Sequence, residues 1–324
     1  MVTKKSLYLI ISLFFLVGQT FLFGQAYPDN YISPVNHPIL LSGSFGELRT
    51  SHFHMGIDIK SSSGASGDPV FAVQQGFISR IKVEAAGYGN ALYIDHPDGW
   101  TTVYAHLSSF SPEIEAYVKN LQYEEQKYEL DIAPPDTLFT LQQGDQIGKM
   151  GNTGWSFGPH LHFEFRNTST EVAHNPMHLG FEIPDSRSPV IKRLIAYELD
   201  PRIRVRGKQA IKLKRSDNKY TPYADTVKLK GELSALGFVS YDPMDKSYNK
   251  NGIYRVEAWI DEQPLFDFTL DSISFDNSYK FETHMDYHWM ATTGEKAHRC
   301  YKTPADGLAI YSDPSLSGLI KLYK

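Results

Sequence analysis

The sequence predicts an all-β protein in two parts, with one helix inserted in the first. Three observations carry this. Aromatics make up 13% of the chain, and 18 Pro and 24 Gly supply many turn residues, a composition suited to strands and tight connections. Short apolar runs follow one another with Gly between them. No regular alternation of strand and helix suggests a parallel sheet, so the spacing points to a barrel or sandwich.

The bulk properties exclude several classes. A length of 324 residues suggests two domains. A hydrophobic fraction of 41% against 21% charged residues is incompatible with a disordered chain. The single cysteine, Cys300, rules out an internal disulfide framework and a cysteine-based zinc module. The formal charge of −5 argues against holding nucleic acid by broad electrostatics.

Residues 1–26 read as a secretory signal peptide. Lys4 and Lys5 form a basic start, Leu7 to Val17 an apolar stretch too short to span a bilayer, and Gly24 and Ala26 place small residues before a cut at Tyr27. Removing the two lysines takes the formal charge from −5 to −7. The protein is therefore expected outside the cytoplasm, periplasmic or extracellular.

Residues 27–186 form the first expected domain. Strand-like runs appear at Pro69 to Val73, Phe77 to Val83 and Ala91 to Ile94, punctuated by Gly76, Gly87, Gly89, Gly99 and Gly144. Ser111 to Leu130 differs: it opens Ser-Pro-Glu and places Ile114, Val118 and Leu121 on one face, the pattern of a helix closed by Ala133-Pro134-Pro135. Residues 187–324 form the second, sandwich-like domain, with strands expected at Val190 to Leu199, Val227 to Leu233, Phe238 to Tyr241, Ile253 to Ile260 and Leu265 to Leu270. Leu319 to Lys324 is strand-like too, and an ending inside such a pattern leaves room for a truncated second domain.

The chemistry concentrates in four histidines and one aspartate. His54 and Asp58 are four apart, so an extended strand turns both to one face, where nitrogen and oxygen can grip one ion. His160 and His162 share a face for the same reason, after the glycine-rich Gly151 to Pro159. His106 follows Tyr104-Ala105. Each pair alone arises readily by chance among twelve histidines. Together they make a catalytic zinc site with three protein ligands and an open position: His54, Asp58 and one of the His160/His162 pair. The other histidine and His106 remain for proton transfer and for stabilising an oxyanion.

In this order the motifs resemble the lysostaphin-type (LytM-like) zinc metallopeptidases, which cleave bacterial cell-wall peptides. The matching stretches are His54 to Asp58, Gly67 to Ala72 with Gly76, Gly87 to Asn90, Ile94 to His96, Gly99 to Leu107, Gly144 to Gly148, and Gly151 to Glu164. The resemblance implies an antiparallel β fold with a groove across one sheet. It implies Zn²⁺ on His54, Asp58 and His162, with His106 and His160 as catalytic histidines. The long link between His106 and Gly144 departs from the plain pattern, and its segment 111–135 is expected to line the groove or to contact a cell-envelope protein, a role also open to the C-terminal domain.

The remaining histidines read as structural. His52 sits beside the His54–Asp58 pair, which already accounts for the site. His96 precedes a turn, and His174 and His178 flank Asn175-Pro176. His284, His288, His298 and Cys300 form a loose cluster without a helical pattern to support a second metal site. Asn167-Thr168-Ser169 matches a glycosylation sequon, to which a bacterial setting gives little weight. Three functions compete: a secreted zinc endopeptidase hydrolysing amide bonds in peptidoglycan stem peptides or cross-bridges, a catalytically silent regulator that activates another wall hydrolase, and a wall-binding or adhesion protein. The complete ligand set favours the first. The acidic balance mildly favours a Gram-negative periplasm over attachment to an anionic wall polymer.

Overall fold

The computed structural model describes residues 27–224 and 226–322. The expected signal peptide, residues 1–26, lies outside the described residues. Along the first part run β1 (Leu41–Gly43), β2 (Ile57–Lys60), β3 (Pro69–Phe71), β4 (Gly76–Val83), β5 (Asn90–Asp95), β6 (Trp100–Ala105), β7 (Leu107–Phe110), helix α1 (Pro112–Glu125), β8 (Leu130–Ile132), β9 (Thr140–Leu141), β10 (Gln146–Met150), β11 (His160–Asn167) and β12 (Ala173–His174). The protein is mainly β, as the composition indicates, and its strand pairs are antiparallel.

A ten-stranded sheet in the order β1-β2-β11-β6-β5-β4-β8 carries the central architecture, and β3-β10-β7 form a small second sheet. Strand β11 explains how the sheet works. On one face Leu161, Phe163 and Phe165 are fully buried in the core. The period of two puts His160, His162, Glu164 and Arg166 on the other face. The expected helix forms but is shorter than 111–130: Ile114 and Val118 are buried, Gln126 ends it in a left-handed conformation, and Leu130 already opens β8.

Beyond residue 186 lie β13 (Val190–Leu199), β14 (Val205–Ser216), β15 (Lys219–Pro222), β16 (Leu233–Pro243), β17 (Lys250–Asn251), β18 (Arg255–Ile260), β19 (Gln263–Thr269), β20 (Ser272–Ile273), short helices α2 (Phe275–Ser278), α3 (Phe281–His284) and α4 (Tyr287–Thr293), then β21 (His298–Arg299) and β22 (Ile320–Lys321). Seven strands form one sheet ordered β15-β14-β13-β16-β17, with β21 and β22 also on β16, while β18 and β19 form a ribbon. Phe268 of the ribbon stacks on His298, which stacks on Phe238 of the sheet. The two parts of the chain are not separate in packing. Strand β20 pairs with β12 in the ten-stranded sheet, and one apolar core includes Phe53, Phe163, Phe268 and Met285.

Three local expectations are corrected. The stretch 227–232 is irregular, and only Leu233 of the expected strand joins β16; Val227 and Leu229 pack sideways on the core without ladder partners. The β14–β15 hairpin was not expected, because Lys and Arg crowd it and only Ile211 is buried along β14. The His284–Met290 region, read as non-helical, holds α3 and α4, which are too short to show a periodicity.

Candidate metal centre

The site forms where β2, β11 and the end of β6 lie side by side. In the register His162 faces Asp58 on one neighbour and Ala105 on the other. His106 follows at once and adopts a left-handed backbone, φ 62°. That conformation costs a non-glycine residue roughly 1 kcal/mol or more. Two bonds hold it: the His106 N–H donates to the Tyr88 carbonyl over 2.9 Å, and Nδ1–H donates to the Thr153 carbonyl over 2.8 Å.

His54, Asp58 and His162 converge. His54 Nε2 is 3.0 Å from Asp58 Oδ1 and 3.0 Å from His162 Nδ1, and the last is 2.9 Å from Asp58 Oδ1. All three residues are buried. Among the described residues they are the one His/Cys/Asp/Glu group whose ligand atoms gather closely enough to hold a metal ion.

The opposite edge of each ring is occupied. His54 Nδ1–H donates to the Ser44 carbonyl over 2.8 Å, which directs Nε2 inward. His162 Nε2–H donates to Glu164 Oε1 over 2.8 Å, which directs Nδ1 inward. Arg49 Nη2 holds Asp58 Oδ2 at 2.9 Å, leaving Oδ1 to face the imidazoles. Two imidazole nitrogens and a carboxylate oxygen, each fixed by an outer partner, form a donor set that fits zinc.

Charge supports the same fit. Burial disfavours protonation of His162, but Asp58 and Glu164 outweigh it and lift the group to about 9. The pocket thus favours a positive charge among these groups. Burial opposes the Asp58 carboxylate, yet His54, His160 and His162 hold its pKa well below the usual range.

His160 stands at the edge of the cluster, its Nε2 3.5 Å from Asp58 Oδ1. Its Nδ1–H donates to the Gly158 carbonyl over 2.8 Å. The His106 and His160 rings are 4.7 Å apart. Burial, with the neighbouring His162 and His160, depresses His106 to about 3. The five residues proposed from the sequence therefore lie together.

The loop before His160 is braced against the loop at 87–89. Gly89 and Gly154 approach so closely, both with positive φ, that a Cβ on either would strike backbone of the opposing loop. Trp155 N–H donates to the Gly87 carbonyl over 2.9 Å. Trp155 and Phe157 point outward from this loop, 79% and 109% exposed.

Sequence reasoning missed the supporting residues. Glu164 is fully buried and receives Tyr88 Oη–H over 2.6 Å and Arg166 Nε–H over 2.7 Å. Burial pushes its carboxyl up, but Arg166, His162 and Tyr88 outweigh that and hold it at about 2. Alternation from His160 through His162, Glu164 and Arg166 was the available signal. Arg49 and Ser44 gave none, because their role rests on tertiary contact.

The other histidines fall elsewhere. His52 is exposed. His96 is held by the Gln75 carbonyl and Thr102. His174 contacts Tyr27, and His178 pairs with Asp271. His284 is buried against His298 at 2.8 Å, whereas His288 is exposed, so the His-x-x-x-His pair does not converge.

Residues 52–123 and 139–176 match the model for Peptidase family M23. Over 138 residues the chain is 36% identical to the DD-carboxypeptidase/endopeptidase Mpg of Neisseria meningitidis serogroup B, covering 43% of this chain and 25% of that protein. It is 32% identical over 127 residues to the cell division protein DipM of Caulobacter vibrioides, covering 39% of this chain and 17% of that one. The chain thus spans about a quarter or less of the length of these relatives. Among solved structures, the catalytic domain of lysostaphin from Staphylococcus simulans aligns at 24% identity and a TM-score of 0.32, covering 43% of this chain and 90% of that one.

Proposed function

We propose that this chain, whose residues 52–123 and 139–176 match the model for Peptidase family M23, is a secreted zinc endopeptidase that hydrolyses amide bonds in peptidoglycan stem peptides or cross-bridges. The observation that carries the reading is the convergence of His54 Nε2, Asp58 Oδ1 and His162 Nδ1, with both outer ring nitrogens and the second carboxylate oxygen already engaged. On this reading residues 27–186 are the peptidase unit and residues 187–324 a second β unit. Export through residues 1–26 and a periplasmic setting belong to the same proposal.

His54, Asp58 and His162 would hold zinc, which would supply Lewis acidity toward a water and an amide carbonyl. The protein supplies the rest. His106 has its Nδ1–H fixed on the Thr153 carbonyl, so Nε2 presents a lone pair that would take the proton of the attacking water and return it to the leaving amine nitrogen as the C–N bond breaks. His160, held through Nδ1 by the Gly158 carbonyl, turns Nε2 toward the same space and stabilises the oxyanion when protonated. The sheet buries the ligands and excludes water from their far side, while Trp155 and Phe157 stand on the loop that carries His160.

Chelator-sensitive release of peptides from purified sacculi, identified by mass, tests the activity and the bond cut. His162→Ala should lose zinc and hydrolysis together. His106→Ala should lose hydrolysis and keep zinc. A wild-type protein that holds zinc yet releases nothing, with or without envelope partners, overturns the enzyme reading in favour of a silent regulator of another hydrolase.

A further inference from the structure

The residues after 186 have no part in the chemistry described above, yet one of their segments touches the back of the metal centre. Residues 244–252 run from the end of β16 through β17 and lie along β1 and the loop that follows it. The Leu41 N–H points to Met244 Sδ at 3.2 Å. Ser247 Oγ–H donates to the Leu41 carbonyl over 3.3 Å. Asn249 Nδ2–H donates to the Ser42 carbonyl over 3.3 Å, while its Oδ1 accepts from Lys60 Nζ over 3.0 Å. Gly252 N–H donates to Ser44 Oγ over 2.9 Å.

The strand and loop so gripped aim two of the three ligands. The Ser44 carbonyl fixes the His54 ring through Nδ1. The Glu47 carbonyl accepts the His54 backbone N–H over 2.9 Å. Ser42 Oγ–H donates to the Asp58 carbonyl over 3.3 Å, and Gly43 lies opposite Asp58 in the ladder. Arg49, at the end of the loop, holds Asp58 Oδ2. A chain of two hydrogen bonds and one residue therefore joins Gly252 to a ligand ring. The contact is close: a Cβ at Gly252 would sit 2.9 Å from Glu47 Cα. Met244, Ser247 and Asn251 are buried in this seam.

We propose that segment 244–252 is a positioning element of the metal centre, so that the C-terminal half sets zinc affinity by fixing the direction of His54 and Asp58. This rests on the zinc reading given above. Outer contacts of this kind change metal affinity without touching the ion. Simple packing of one half on the other would stabilise the fold and leave the affinity alone.

The test measures zinc affinity by competition with a chelator, the visible spectrum of the cobalt-substituted protein, and the thermal stability of the metal-free protein. The full chain is used, well below its melting temperature. Gly252→Ala should push the loop at Glu47, weaken zinc by about tenfold or more and alter the cobalt spectrum. Asn249→Ala, which removes the side-chain bonds to Ser42, Lys60 and Ser247 and adds no bulk, should weaken zinc about threefold to tenfold. Phe268→Leu, a packing change in the ribbon, should lower stability and leave zinc affinity within about twofold of wild type. The proposal is overturned if both seam variants, still folded, stay within about twofold of wild type with an unchanged spectrum. It is overturned equally if Phe268→Leu weakens zinc as much as they do. Should Gly252→Ala fail to fold, Asn249→Ala decides. A wild-type protein that holds no zinc removes the functional reading and this one with it; a zinc-binding wild type with indifferent seam variants removes this one alone.

Discussion

Replacing Glu164 by glutamine keeps the size of the side chain and removes its charge. In the native protein this carboxylate has no solvent exposure. It accepts from Tyr88 Oη over 2.6 Å, His162 Nε2 over 2.8 Å and Arg166 Nε over 2.7 Å, with Arg166 Nη2 also at 2.6 Å. Arg166 is itself only 7% exposed, and its guanidinium lies 4.3 Å over the Phe275 ring. The variant therefore strands a buried cation. Breaking one partner of such a pair costs about 3–5 kcal/mol. The amide keeps one acceptor and fills the space, so the lower end, about 3 kcal/mol, is expected. Urea unfolding of the metal-free protein reads this directly. Adding Arg166→Met should recover more than half of the loss, because the stranded charge then disappears. Zinc affinity should fall by about 10-fold, since the one remaining acceptor cannot serve both His162 and Arg166. A Glu164→Gln protein within about 0.5 kcal/mol of wild type, or no recovery in the double variant, would refute the claim that this carboxylate neutralises Arg166.

Three more changes probe separate parts of the fold. Asp242, buried in β16 opposite Asn251, is raised from 3.8 to about 7 by burial and by Asp185. A carboxyl raised on folding stabilises below its unfolded pKa, and that contribution is lost as pH rises through the folded one. Stability should thus fall between about pH 4 and about pH 7, by at most about 4 kcal/mol. Asp242→Asn should flatten that slope in a series of melting curves; equal slopes in both proteins would contradict it. Phe163→Ala removes a fully buried ring whose edge meets Tyr104 at a centroid distance of 5.3 Å, and should cost about 3–5 kcal/mol in urea unfolding. Gly154→Ala forces a Cβ into the Gly87–Gly89 loop at a φ of 71°. It should cost about 2 kcal/mol or more, and lower hydrolysis more than zinc affinity, because the shifted Thr153 carbonyl holds His106.

Much of the site was legible because its signals are local. His54 and Asp58 lie within one short stretch, His160 and His162 within another, and the glycine-rich approach marks the turn into β11. Helix α1 was legible for a similar reason, since Ile114 and Val118 repeat at its period and a proline opens it. What escaped depends on partners distant in sequence. The β14 strand is polar at most of its positions, and its pairing with β13 rather than its own residues makes it a strand. Arg49 is one arginine among many in a sequence; only the fold places it on Asp58. The 227–232 stretch failed in the opposite way, its apolar residues finding the core without a ladder.

The same division explains why the site is stiff where chemistry needs it. The three candidate ligands come from two segments more than a hundred residues apart, 54–58 and 162, so no short stretch of chain can hold an ion with all of them. What brings them together is the register of β2 against β11, fixed in turn because Ile57, Ile59, Leu161 and Phe163 are fully buried. A slip of one residue would turn His162 into the core and Leu161 into the site, exchanging a paired imidazole for an unpaired one. Apolar burial on one face of the sheet thereby specifies the position of the polar atoms on the other. The remaining freedom, rotation of each side chain, is removed by Ser44, Arg49 and Glu164. Two of these, Ser44 and Arg49, lie on the loop that residues 244–252 grip. Directional precision at the centre therefore depends on contacts from a part of the chain that carries none of the chemistry.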